Sequence, residues 1–78
     1  MSKVYFILNE TTFQGTDQVT VEVVSASLDL DRMLDEIQEI ARDNEIYVDG
    51  DADSVTLPGA HGTSIESDEY YIAEEELK

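Results

Sequence analysis

Residues 30–43 have the sequence Leu-Asp-Arg-Met-Leu-Asp-Glu-Ile-Gln-Glu-Ile-Ala-Arg-Asp. Apolar side chains recur in this stretch every three or four residues, which places them on one face of an α-helix. The stripe consists of Leu30, Met33, Leu34, Ile37, Ile40 and Ala41. Asp29 is a residue type favoured at helix N-caps, and Asp43-Asn44 is a stop signal. The pattern predicts one amphipathic helix that must pack on a sheet to be stable.

Two strands are predicted before this helix. Residues 3–9 are β-formers with apolar side chains on both faces, as expected of a central or covered strand. Turn residues around Gly15 predict a hairpin loop over Glu10–Gln18. Valines at alternate positions from Val19 to Val23 then predict a half-buried second strand.

Three shorter strands are predicted after the helix. The expected segments are a strand at Ile46–Val48, a turn at Asp49–Asp53, a returning partner strand at Ser54–Leu57 ended by Pro58-Gly59, a loop at Ala60–Asp68 and a final strand from Tyr70 to Leu77. The order β-β-α-β-β-β, with one helix on one face of a mostly antiparallel sheet, is typical of the α+β class. Residues 1–78 are expected to form a single domain.

The charge of the chain limits its partners. Its 78 residues include 19 acidic and 4 basic side chains, and the net charge is −15. Direct binding to nucleic acid or to an anionic membrane is not expected, because phosphates require Lys and Arg. A cytoplasmic location is expected, since no apolar run approaches the roughly 20 residues of a membrane span and no signal-peptide pattern is present. The 41% apolar content argues against disorder.

Few residues could support catalysis or metal binding. His61 is the single histidine, and Ser64 lies nearby in a loop that does not fix a catalytic arrangement. We therefore expect neither enzyme activity nor a cofactor. Asp49, Asp51 and Asp53 resemble the first half of a calcium loop, but Ser54 and Ala60 replace its glycine and its bidentate glutamate. A soluble turn is the favoured interpretation, and a weak divalent-cation site stays open.

The helix carries a row of carboxylates at successive i, i+4 positions. The row consists of Asp31, Asp35, Glu39 and Asp43, with Glu36 beside it. Each i, i+4 pair of like charges costs about 0.2–0.5 kcal/mol, so the row is unfavourable for the isolated helix. Together with Glu74, Glu75 and Glu76, these carboxylates could imitate phosphates and occupy the basic surface of a nucleic-acid-binding protein. Tyr47 would be an aromatic anchor, with Tyr70 and Tyr71 assigned rather to sheet packing.

Two other interpretations stay open. Nine Asp and ten Glu against only Lys3 and Lys78 are also typical of proteins adapted to high salt, where self-repulsion is screened. The chain could also be an interaction or structural domain that pairs with another copy through its two-faced first strand or a sheet edge.

The ends of the chain carry a resemblance. Lys3-Val4-Tyr5-Phe6-Ile7-Leu8 opens it, and Tyr71-Ile72-Ala73-Glu74-Glu75-Glu76-Leu77 closes it. With a valine-rich second strand leading into an acidic helix, this layout resembles many short acidic proteins of phages and prophages. The resemblance implies a phage accessory protein, and it assigns no catalytic residues.

Overall fold

The computed structural model describes residues 2–59 and 64–77, in which four antiparallel strands form one sheet against a single helix. The elements are β1 (Lys3–Phe13), β2 (Val19–Ser27), α1 (Leu30–Asp43), β3 (Ser54–Pro58) and β4 (Ile65–Glu76). The strands lie in the order β2-β1-β4-β3. This arrangement confirms the α+β class, but within the described residues it has one strand fewer than predicted.

The helix is formed as its sequence predicts. The Asp29 carboxylate accepts a hydrogen bond from the backbone N–H of Asp31 at 3.0 Å, which caps the first turn. At the other end, the N–H of Ile46 donates to the Ala41 carbonyl at 2.8 Å and that of Glu45 to the Arg42 carbonyl at 3.1 Å. These two bonds form a Schellman motif, in which Glu45 occupies the left-handed region (φ 59°) usually taken by glycine.

One face of the sheet, which we call the covered face, packs against α1. Its core consists of the buried side chains of Ile7, Met33, Ile37, Ala41 and Val55. Tyr5, Tyr70 and Ile72 pack around this core from the same face. Ile7 is 0% exposed because β1 is an inner strand and the helix lies over it.

The chain after the helix differs from the prediction. Ile46–Val48 forms no strand, because the N–H of Ile46 bonds to the end of the helix and its side chain packs on the core with Val48. Gln38 Nε2 also donates to the Asp49 carbonyl, which holds this segment along α1. β3 pairs instead with β4, which already begins at Ile65. Of the predicted loop over Ala60–Asp68, residues 60–63 lie outside the described residues and residues 65–68 belong to β4.

The first hairpin is also longer than predicted. β1 continues to Phe13, so the first four residues of the predicted loop over Glu10–Gln18 pair with β4. The turn is confined to residues 14–18, where Gly15 has a φ of 74°. β2 likewise continues to Ser27, and the register shift opposite Ile7 and Leu8 leaves Val24 as an extra residue, a β-bulge.

The other face of the sheet, which we call the open face, has no element packed over it among the described residues. Its apolar side chains are Val4, Phe6 and Leu8 of β1, Val19, Val21, Val23 and Ala26 of β2, and Tyr71 and Ala73 of β4. The predicted burial of the β2 valines is therefore wrong: Val19, Val21 and Val23 are 45%, 56% and 60% exposed. The period-two pattern is present, but its apolar side faces away from the helix.

Candidate protein-interaction surface

The four carboxylates of Asp31, Asp35, Glu39 and Asp43 form what we call the acidic ladder. All four residues are exposed, while Met33, Ile37 and Ala41 on the opposite side of the helix are buried. A step of four residues advances a helix by about 6 Å and turns it by about 40°. The ladder therefore runs along the whole outer side of α1 in a shallow spiral.

No cation in the described part of the chain forms an ion pair with the ladder. None of its four side chains forms an ion pair, although Arg32 and Arg42 are exposed on the same helix. The ion pair found among the described residues joins Lys3 Nζ to Glu74 Oε1 at 3.3 Å, on the sheet. Among the described residues, the ladder is therefore a row of like charges with no cation paired directly to it.

Glu36 is separated from the ladder. Its side chain is half-buried, and its carboxylate accepts a hydrogen bond from Ser25 Oγ of β2 at 3.3 Å. This contact fastens the helix to the edge of the sheet. Glu36 therefore helps to position the ladder without standing in it.

The acidic run at Glu74, Glu75 and Glu76 is divided between the two faces of the sheet. Successive residues of a strand point to opposite sides. Glu74 pairs with Tyr5 on the covered face, whereas Glu75 pairs with Val4 on the open face. Glu74 is also partly compensated by Lys3. All three residues are exposed, but they do not continue the ladder as one surface.

Tyr47 is the most exposed aromatic residue among those described, at 90%. It lines a shallow pocket of about 350 Å³ at the C-terminal end of α1 together with Gln38, Arg42 and Val48. Gln38 and Arg42 lie next to the ladder on the helix surface, so Tyr47 stands beside its C-terminal half. Tyr70 packs against the core, as predicted, and Tyr71 lies on the open face.

A second pocket has no counterpart in the sequence analysis. It has a volume of about 350 Å³ and lies between the N-terminal half of α1 and the sheet. Its lining includes the apolar side of the sheet and helix at Tyr5, Leu34 and Ile72, and the acidic residues Asp51, Asp53 and Glu74. These residues are far apart in sequence, so no spacing rule could bring them together. Apolar walls with acidic groups suit a long cationic side chain.

The turn at Asp49–Asp53 is closed by its backbone, with the Ala52 N–H donating to the Asp49 carbonyl at 3.0 Å. The Asp53 carbonyl accepts from the N–H of Ile72 at 3.0 Å, which ties the turn to β4. Among the described residues, no three His, Cys, Asp or Glu side chains are grouped as metal ligands. His61 lies outside the described residues, and Ser64 is exposed.

Within residues 2–59 and 64–77, no helix has the length and apolar content needed to cross a membrane. Comparisons with protein-family models, with curated proteins and with solved structures found no match for this chain.

Proposed function

We propose that this protein is an acidic interaction module that binds the basic, nucleic-acid-binding surface of another protein, as a phage-type inhibitor or DNA mimic does. One observation carries the proposal. The acidic ladder is exposed along its whole length and forms no ion pair with any described residue. The i, i+4 repulsion in such a row costs about 1 kcal/mol over three pairs. A cationic partner would remove this cost on binding.

The surroundings of the ladder support the same proposal. One carboxylate per about 6 Å of helix axis is less dense than the charge of a duplex, which carries one per about 1.7 Å of its axis, so additional anchors are needed. Tyr47 offers an exposed ring beside the ladder, and aromatic anchors are enriched at interface hot spots. The pocket between Leu34 and Ile72 offers an acidic recess for a lysine or arginine of the partner.

The test reverses the charge of the ladder. The double variant Asp35→Lys/Glu39→Lys makes two of the three repulsive pairs attractive, so the isolated protein should gain about 1 kcal/mol of stability in denaturant unfolding. The same variant should lose binding to basic proteins. Binding is measured with bacterial proteins that have first been eluted from immobilised duplex DNA. These proteins are captured on immobilised copies of this protein at about 50 mM salt and are released by a salt gradient.

The matched control is Asp17→Lys/Glu22→Lys, which changes the net charge equally at two exposed positions outside the ladder and outside both pockets. Capture that survives in this control but not in the ladder variant, and that duplex DNA competes away, supports the proposal. Equal loss in both variants would mean that binding follows net charge alone, and the ladder would not be the contact surface.

Adaptation to high salt is the second candidate function of the acidic surface. It is favoured by the exposed carboxylates that lie away from the ladder, at Asp49, Asp51, Asp53, Glu75 and Glu76. Thermal melts at about 0.05 and 2 M salt separate the two candidates, because charge repulsion is screened only at the higher concentration. A protein that is unfolded at low salt would favour salt adaptation and contradict the mimic.

A further inference from the structure

The open face has the composition of an interface centre. One row across the sheet joins Val23, Leu8 and Tyr71, and the neighbouring row joins Ala26, Phe6 and Ala73. Neither row contains a charged side chain. Monomeric proteins rarely expose apolar patches larger than a few hundred Å², and larger ones mark binding surfaces.

Carboxylates lie in the rows on either side of these two apolar rows. On one side Glu10 stands directly opposite Glu69, and on the other side Glu75 stands opposite Val4. Like charges directly opposite each other destabilise a strand pair, so these groups must stay hydrated. An apolar centre with a charged rim is the usual layout of a protein interface.

The size and shape of the face indicate what could cover it. Strands of 9, 11, 12 and 5 residues are about 30, 36, 40 and 16 Å long and lie about 4.8 Å apart, so the whole face has a projected area of about 600 Å². A pair of such faces would bury about 1,200 Å², which reaches the lower limit for a specific interface. A single helix, about 10 Å wide, would leave much of the face in water. Another twisted sheet is wide enough to cover both apolar rows across the strands.

We propose that a second copy of this chain covers the open face, forming a two-fold dimer in which two sheets pack face to face. Two identical sheets share the same twist, and aligned sheets pack about 10 Å apart with their apolar side chains interdigitated. The valines of β2 would be buried in this dimer. Their alternating pattern in the sequence predicts such burial, which the single chain does not provide. The two helices, and both acidic ladders, would then lie on opposite outer sides.

The proposed contact also suits the small size of the covered core. Five buried side chains form that core in the described residues, and domains of this size often need oligomerisation to be stable. The dimer does not depend on a basic partner, so it stands or falls separately from the function proposed above.

The test is the mass of the full chain in solution, measured by sedimentation equilibrium at about 0.1 and 1 M salt. We expect a species of twice the 8.7 kDa chain mass. Its dissociation constant should fall as salt screens the carboxylates at the rim. Val23→Lys should weaken the dimer at least about 10-fold, because it places a charge in one of the two apolar rows that the partner sheet would cover. Val23 is more than half exposed in the single chain, so this variant should keep its helical circular-dichroism signal.

Thr20→Lys is the matched control, since Thr20 is an exposed residue of the same strand that points to the covered-face side. It adds the same charge and should leave the dimer unchanged. Tyr71→Lys on β4 should weaken the dimer as Val23→Lys does, because it changes the open face without touching the edge strand β2. A monomer at both salt concentrations, at up to about 500 µM protein, would overturn the proposal. Equal weakening of the dimer by Thr20→Lys would also overturn it. So would a dimer that Tyr71→Lys leaves intact, because that result would indicate pairing through the β2 edge.

Discussion

Ile7 and Leu8 are neighbours in β1, yet they belong to different environments. Ile7 points to the covered face and is 0% exposed beneath α1, whereas Leu8 points to the open face and is only partly buried between Val23 and Tyr71. Both are large aliphatic residues in the same inner strand. Their comparison shows that the same local sequence can support the fold on one face and remain available for binding on the other.

The largest expected effect is the difference in stability cost between truncating Ile7 and truncating Leu8. Ile7→Ala should lower the free energy of unfolding by about 2–5 kcal/mol, because it leaves a cavity in a closed core. Leu8→Ala is the matched control and should cost clearly less when measured in urea at a concentration where the protein is monomeric. Equal costs would mean that the open face is covered within the single chain.

The next largest effect concerns the close backbone contact that holds the end of β3 against β4. A Cβ atom added at Gly59 would lie 1.8 Å from the Ile65 carbonyl oxygen, at the point where the Gly59 N–H donates to the Glu66 carbonyl at 2.9 Å. Gly59→Ala should therefore displace the end of β3, which carries Val55 into the core, and cost about 1–3 kcal/mol in thermal or urea unfolding.

Gly50→Ala is the control for that substitution, because a Cβ at Gly50 meets no atom within 4 Å. Its stability should stay within about 0.5 kcal/mol of the parent protein. Similar losses for both variants would contradict the assignment of the cost to the close approach at Gly59.

The smallest effect concerns the turn that leads Ile46 and Val48 onto the covered face. Glu45 adopts a φ of 59°, where side chains other than glycine cost about 1–2 kcal/mol. Glu45→Gly should stabilise the protein by about 1 kcal/mol, as measured by the urea midpoint, and leave the open face unaffected. Glu45→Gln removes the charge but keeps the Cβ, so it should recover little of the gain. An equal gain from Glu45→Gln would assign the effect to charge repulsion near Asp43.

The helix and its ladder could be predicted from the sequence because both depend on contacts within a few residues. The apolar stripe and the carboxylates both follow the period of the α-helix. When Met33, Ile37 and Ala41 are buried against the sheet, Asp35 and Glu39 must therefore face solvent. The α+β class followed from the same local patterns. Charge alone suggests that Glu74, Glu75 and Glu76 belong with the ladder. Because side chains alternate along a strand, these three residues are instead divided between the two faces of the sheet.

Features that depend on long-range packing could not be predicted in the same way. The alternation of Val19, Val21 and Val23 shows that β2 has an apolar side, but the side that α1 covers is decided by where the chain crosses the sheet. Ile46–Val48 has strand-forming residues, yet the bond between Ile46 and Ala41 keeps it beside the helix. The pocket walled by Tyr5 and Ile72 likewise exists only after β1 and β4 pair.

The two edges of the sheet have unequal capacity for further strand addition. β3 presents five residues and ends at Pro58, which has no amide hydrogen to offer an incoming chain. β2 presents nine residues and is interrupted by the bulge at Val24. Fibril growth requires that both edge strands of every subunit accept another strand. A chain could add at the β2 edge, but the β3 edge offers no comparable site for the next addition. Stacking of this kind should stop after one addition.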